Sequence, residues 1–193
     1  WDARNERYFV ARDRLGIKPC FWSQNGSKIA IGSEIKALLT LPWIKRSIDW
    51  NGFDAFFTYT YIPSPLTIYN DIKKLPPAHY LLVENGKLEI KRYWDLSFAD
   101  KLELPEAKIE EDFLSLLHES VNIRLMSEVP LGAFLSGGID SGLIVALMSK
   151  DFTGHKTFTV NFEGSKGDFL DERPFALEIA EKYACQHHEV GVL

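Results

Sequence analysis

Residues Ser136-Gly137-Gly138-Ile139-Asp140-Ser141 join an apolar run to a compact helical one, and this junction constrains the fold more than any other stretch. Before it, Val129 to Leu135 is short and apolar enough for a buried strand. After it, Leu143, Ile144, Ala146, Leu147 and Met148 form a helix ending near Lys150. Thr157 to Phe162 is β-branched and aromatic, the mark of a second strand. A polar, glycine-bearing loop covers Glu163 to Phe169. Asp171 then reads as an N-cap, with Pro174 in the first turn of a helix running to about Tyr183. His188-Glu189-Val190 begins a third strand. An amphipathic helix precedes all of this, with Ile109, Phe113, Leu116, Leu117, Val121 and Met126 on one broad face. The order helix, then β-α-β-α-β, predicts a parallel sheet with right-handed crossovers.

In such a sheet ligands bind beyond the carboxyl ends of the strands, where the turn from Ser136 to Ser141 falls. Gly137 and Gly138 let main chain approach a ligand closely, and the next helix offers unpaired N–H groups and its positive dipole end. Ser136 and Ser141 add hydroxyls. Together they suit phosphate or pyrophosphate. Asp140 would repel a phosphate at ~4–5 Å by roughly 3–4 kcal/mol at an effective dielectric of about 20. A divalent cation between them reverses that sign, and magnesium accepts carboxylate and phosphate oxygens together. The turn thus suggests a magnesium nucleotide, while an ordinary capped helix start fits the same six residues. No G-x-x-x-x-G-K-[ST] and no G-x-G-x-x-G occurs, so neither the lysine-based phosphate loop nor a dinucleotide fold has support.

The first half is β-rich. Phe21-Trp22-Ser23 and Ile29-Ala30-Ile31 flank a turn at Asn25-Gly26, and Tyr80 to Val83 and Leu88 to Ile90 flank one at Asn85-Gly86. Two short helices are predicted, Ser33 to Leu39 with Ser33 as N-cap, and about Asn51 to Tyr59. A segment punctuated by Pro63, Pro65, Pro76 and Pro77 reads as a connecting loop that wraps the domain.

Composition narrows the function classes. With 46% hydrophobic and 25% charged residues the chain is ordinary globular protein. A net charge of −5 disfavours a general nucleic-acid binder. No apolar run reaches the ~18 residues of a membrane span. Cys20 and Cys185 form no CxxC, which fits a reducing, cytoplasmic setting. The chain opens on Trp1 and closes on strand-like residues, and reads as a piece cut at both ends.

Ser136 to Ser141 resembles the SGGxDS pyrophosphate loop of the N-type ATP pyrophosphatases, and Ser127 to Leu135 resembles the approach to that loop in glutamine-hydrolysing asparagine synthetases. Ala11 to Pro19 and Gly32 to Leu38 resemble the end of that family's class II glutamine amidotransferase domain. Tyr61 to Pro65, Lys74 to Pro77 and Tyr93 to Leu96 resemble the stretch joining its two domains. The resemblance implies an α/β chain: the C-terminal part of an Ntn-type αββα amidotransferase domain with its wrapping linker over 1–104, then the start of a parallel-sheet, adenine nucleotide α-hydrolase-like (PP-loop) domain over 105–193.

For the intact protein it implies that glutamine is hydrolysed to ammonia by an N-terminal cysteine whose own α-amino group is the base. ATP adenylates aspartate, and ammonia displaces AMP to give asparagine. ATP and Mg²⁺ are the implied cofactors, and the partners are small molecules, with no nucleic acid and no membrane; a homodimer stays open. By the same carry-over Ser136, Gly137, Gly138, Asp140 and Ser141 hold the ATP phosphates, Asp140 also holds the metal, and Leu135 and Val160 line the adenine pocket. Core packing explains Leu135 and Val160 equally well. The cysteine nucleophile is not among these residues, so this polypeptide is expected to lack glutaminase activity and to bind Mg-ATP weakly.

Departures from the family pattern carry their own expectations. Cys20 and Cys185 are expected to pack as small hydrophobes. Cys185 and His187 have C-x-H spacing but do not make a zinc site. Gly142 stands where a small hydroxyl residue is common. Asp171 and Glu172 either cap a helix or serve metal or substrate; His79, His118 and His155 read as structural or solvated, and His187 and His188 start a strand with no clear partner. Two other functions fit these residues: an asparagine-synthetase-like amidotransferase acting on another carboxylate or closing a ring, and a non-catalytic nucleotide-binding or interaction module.

Overall fold

A computed structural model describes residues 1–152, 154–162 and 171–192. The polar loop expected over 163–169 lies outside them. The chain forms two compact units, Trp1–Lys101 and Leu102–Leu193.

The first unit is built on two three-stranded antiparallel sheets. One pairs β1 (Tyr8–Ala11) with β5 (His79–Glu84) and β5 with β6 (Lys87–Arg92). The other pairs β2 (Phe21–Asn25) with β3 (Lys28–Gly32) and with β4 (Lys73–Lys74). Asn85 and Gly86 turn between β5 and β6, both at positive φ, as a type I′ hairpin requires. The β2–β3 turn lies one residue later than expected. Asn25 pairs with Lys28 inside the ladder, and Gly26-Ser27 forms the loop with Gly26 at φ +59. Glycine in the first loop position is the type II′ solution, so Asn25 is free to remain a strand residue.

Helix α1 (Ile35–Leu38) starts later than predicted. Its N-cap is Glu34, not Ser33, and no side chain caps it. Leu38 is buried with Ile44 and Ile72, and Phe21, Ala30 and Ile35 pack against them. Helix α2 (Trp50–Tyr59) is capped by buried Asp49, whose carboxylate accepts from the Asn51 and Gly52 amides at 3.0 and 3.3 Å. A Cβ at Gly52 would stand 2.2 Å from the Thr67 carbonyl oxygen, so the proline-rich segment lies directly on this helix. That segment does more than wrap. Thr67, Ile72 and Leu75 are buried, and the Thr67 hydroxyl bonds the Ile72 carbonyl. Cys20 is half-buried, and burial pushes its thiol pKa up, as a packed small residue shows.

The second unit carries the parallel sheet. Its order is β7 (Gly132–Phe134), β8 (Lys156–Phe162), β9 (Gln186–Val192), and both pairings are parallel. Helices α3 (Glu106–Leu125), α4 (Ile139–Asp151) and α5 (Arg173–Lys182) alternate with the strands. Only the last part of the apolar run before the turn is strand, because Pro130 has no amide to give a ladder. Helix α5 is preceded by Glu172 as N-cap with no side-chain cap bond, which corrects the assignment of Asp171. Asp171 instead holds Arg173. The core is Leu135, Val145, Ala176 and Ala180, with Val121, Leu147 and Met148 packed between α3 and α4. No helix among the described residues is long and apolar enough to cross a membrane.

Candidate nucleotide site

At the carboxyl ends of β7 and β8, a cleft of about 570 Å³ is lined by Leu135, Ser136, Ser141, Val160, Asn161 and Arg173, among others. Backbone pairing continues one residue past β7, where the Leu135 amide donates to the Phe158 carbonyl at 2.9 Å. The Thr159 hydroxyl donates to the Leu135 carbonyl at 2.5 Å. The chain is therefore fixed on both sides at the point where the turn departs.

The turn itself is open. Ser136 and Asp140 are exposed, and Ile139 is 87% exposed. Its amides divide into two sets. The Ser136 N–H donates to the Ser141 hydroxyl oxygen at 3.3 Å, and the Gly138 N–H donates to that of Ser136 at 3.4 Å. The N–H groups of Gly137, Ile139, Asp140 and Ser141 have no acceptor among the described residues. The first bond within the helix is from the Gly142 N–H to the Gly138 carbonyl at 3.0 Å. These free donors stand at the positive end of a 13-residue helix. The two serine hydroxyls lie 3.0 Å apart, and Ser141 also donates to the Gly138 carbonyl, so they brace the turn from inside.

Gly137 is required twice over. Its φ is +77, and a Cβ there would sit 2.7 Å from the Phe175 Cβ and 2.9 Å from the Glu172 carbonyl. The amino end of α5 thus rests on the bare backbone of the turn. Gly142 keeps the same two helices close, with Ile179 3.0 Å from where its Cβ would be.

Of the residues expected at a nucleotide site, Leu135, Ser136, Ser141 and Val160 line the cleft. Gly137 and Gly138 border an adjacent groove between α4 and α5, and Asp140 lies exposed on the first turn of α4. Leu135 is 1% exposed and belongs to the core, whereas Val160 is 48% exposed, which core packing does not account for. Among the described residues no three of His, Cys, Asp and Glu gather to hold a metal ion.

Sequence reading missed Arg173, which lines the cleft beside Glu172 and Asp171. A basic residue after two acids at a helix start gives no local sign of where it points. The Asp171 carboxylate takes the Arg173 Nε at 2.6 Å, its Nη2 at 2.5 Å and its backbone N–H at 3.2 Å. The side-chain bonding to Asp171 pushes the Arg173 pKa up.

The other polar groups lie elsewhere. His155 is buried and donates through Nδ1 to the Phe152 carbonyl, with its Nε2 3.3 Å from the Cys185 sulfur. Burial raises the Cys185 thiol pKa. His187 Nδ1 meets the Thr157 hydroxyl at 2.9 Å, His188 stacks on Phe158, and His118 meets Asp151 at 2.6 Å. None of these histidines lines the cleft.

Comparison with known proteins places both halves of the chain among known sequences. Residues 1–94 match a glutamine amidotransferase domain, and residues 112–192 match asparagine synthase. A Methanocaldococcus jannaschii protein provisionally named asparagine synthetase [glutamine-hydrolyzing] 2 is 34% identical over 193 residues, covering 97% of this chain and 37% of that protein. Asparagine synthetase [glutamine-hydrolyzing] 3 of Bacillus subtilis is 33% identical over 98% of this chain and 33% of its own length. Amidase chry2 of Gibberella zeae is 32% identical over 98% of this chain and 30% of its own length. The chain spans about a third of the length of these relatives. With an amidotransferase match followed in order by a synthase match, the chain belongs to the asparagine synthetase-like family.

Proposed function

We propose that this chain is part of an enzyme that uses ATP to make a carboxylate reactive toward ammonia, with aspartate as the acceptor and glutamine as the ammonia source. In this reading residues 1–104 are the end of the amidotransferase domain and 105–193 the start of the synthase domain. The cytoplasm is the setting that suits it. The observation that carries the reading is the set of four unanswered amides at Gly137, Ile139, Asp140 and Ser141, held open at the end of a parallel strand.

Aspartate's carboxylate is a poor electrophile, and AMP is a far better leaving group than oxide. Adenylation therefore has to precede attack by ammonia. The turn from Ser136 to Ser141 binds the phosphates through main-chain N–H groups, as helix amino ends do. Val160 and the strand end at Leu135 line the place for adenine. Asp140 suits Mg²⁺, which is usually held by one or two carboxylates together with substrate phosphates. Bound there, the ion offsets the negative charge of the phosphates beside the carboxylate. Asp140 is exposed, so it can hold the ion without a buried-charge penalty.

Titration calorimetry on the protein at its full natural length tests this. Mg-ATP binding is expected to weaken at least tenfold in Asp140→Asn, with the melting temperature unchanged. Equal affinity for ATP with and without Mg²⁺, in wild type and variant alike, would remove the role given to Asp140. Saturating ATP that leaves the amide resonances of Gly137 to Ser141 unmoved would remove the site. The fungal amidase match favours a second reading, in which the acceptor is a different carboxylate. Competition between aspartate and other acids for ATP-dependent pyrophosphate release separates the two.

A further inference from the structure

The cleft beside the turn contains a charge that the phosphate reading does not use. We propose that Arg173 is an oxyanion-binding residue of this cleft and that Asp171 positions its guanidinium for that task. The inference rests on the reading of Ser136 to Ser141 as a nucleotide site.

A guanidinium carries five N–H donors in a rigid plane. Asp171 takes the Nε edge, one carboxylate oxygen on Nε and the other on Nη2. That leaves the Nη1 end, which has no acceptor among the described residues. The pair is well sheltered, with side chains 18% exposed at Arg173 and 10% at Asp171. Sheltered ion pairs of this kind give little net stability over an apolar pair, because both ions lose water. What this one does supply is orientation. A long, flexible arginine is locked in one pose at the edge of a cavity of about 570 Å³.

The charge balance of the cleft points the same way. Its described lining holds two carboxylates, Asp171 and Glu172, and one cation, Arg173. Arg173 is thus the group of that described lining that can meet an incoming anion with positive charge. Bonding to Asp171 and the nearby charge of Glu189 both keep Arg173 protonated. A planar fork suits a ligand with two oxygens to offer, a phosphate or a carboxylate. Two sources have that chemistry here: a phosphate of the nucleotide and the carboxylate of the acceptor.

The test uses the protein at its full natural length. Dissociation constants are measured for Mg-ATP, and for aspartate with a non-hydrolysable ATP analogue bound. In Arg173→Gln, at least tenfold weaker Mg-ATP binding assigns the fork to phosphate. At least tenfold weaker aspartate binding with Mg-ATP unchanged assigns it to the acceptor carboxylate. Either result supports the proposal. Millimolar guanidinium ion should restore part of the lost affinity in Arg173→Ala, which a purely structural residue would not show. Asp171→Asn should lose less affinity than Arg173→Gln, since the charge remains and only its pose loosens. If Arg173→Gln melts at a much lower temperature, Arg173→Lys decides, because it keeps the charge and loses the fork. A folded Lys variant with weakened binding supports the proposal, and one with wild-type constants overturns it. Unchanged constants in a folded Arg173→Gln overturn it as well, while leaving the nucleotide reading intact. Wild-type protein that binds no Mg-ATP overturns both.

Discussion

Helices α2 and α4 begin in opposite ways. At α2 the chain answers its own helix end: the Asp49 carboxylate accepts two first-turn amides, and the Asp49 carbonyl takes the Phe53 N–H at 2.9 Å. At α4 the cap position is Gly138, which has no side chain to offer, and the amides of Ile139, Asp140 and Ser141 stay open. Both ends carry the same positive dipole and the same unmet donors. The first takes its anion from within the fold. The second, in the proposed function, takes its anion from the nucleotide.

The contrast is broken most severely at Gly137. Gly137→Val places a branched side chain at φ +77 and drives it into the Phe175 Cβ and the Glu172 carbonyl. Backbone strain and overpacking together should destabilise the second unit by roughly 3–5 kcal/mol. Urea unfolding followed by a fluorophore on that unit reads this directly. A loss under about 1 kcal/mol would mean that α5 does not rest on the turn.

Gly138→Asp converts the open end into a copy of the closed one. The Gly138 backbone, at φ −73 and ψ 160, is one any residue adopts, and a Cβ there meets only the Ser136 Oγ at 3.3 Å. A carboxylate at this position can accept the amides that Asp49 accepts at α2. Stability should rise by a few tenths of a kcal/mol, the usual gap between Gly and Asp as N-caps. Nucleotide affinity should fall about a hundredfold or more, because a second carboxylate then competes with the phosphates and repels them by roughly 3–4 kcal/mol. Gaining stability while losing ATP is the signature sought. Retained ATP affinity would show that these amides are not the phosphate site.

The reverse change belongs at α2. Asp49→Ala removes a buried cap and leaves Lys73, 3.5 Å away, without its carboxylate. The first unit should lose about 1–2 kcal/mol, and nucleotide affinity should not change. Thermal unfolding and titration of the same sample check both halves of that statement.

These residues also mark where the sequence is transparent and where it is not. The parallel order of β7, β8 and β9 was legible because short apolar runs alternate with helical periodicity, and the open turn because two glycines precede a helix. The Asn85-Gly86 hairpin was legible because that pair suits two positive φ values. Caps were harder. Ser33 and Asp171 both have the composition of an N-cap, yet the caps fall one residue later, at Glu34 and Glu172. Asp171 is diverted by a stronger partner, the Arg173 guanidinium. Asp49 had a readable signal, an acid just before an apolar helical stretch, but the helix start at Trp50 was read one residue late. His155 with Cys185 was invisible for another reason. They are 30 residues apart and meet only because β8 and β9 start side by side.

The comparison can be sharpened at the mildest level with pH. Asp13 is another carboxylate that the chain spends on itself: it accepts the Lys18 and Ile17 amides at 2.9 and 2.8 Å. Those bonds, Lys18 first, favour the charged form and lower its pKa. Asp2, bonded chiefly by the Asn5 side chain, is lowered to about 2. For a group lowered on folding, the stabilising contribution is complete above its ordinary pKa and disappears as pH falls through the folded value. Carbon-detected NMR titration should therefore place Asp13 below the ordinary aspartate range and Asp2 near 2, with the turn amides of Ile17 and Lys18 shifting at the Asp13 midpoint. Both residues are partly exposed and solvent screens their charges, so the change in stability across that interval should be small, and a midpoint at the ordinary value would mean that these turns form without holding the charge.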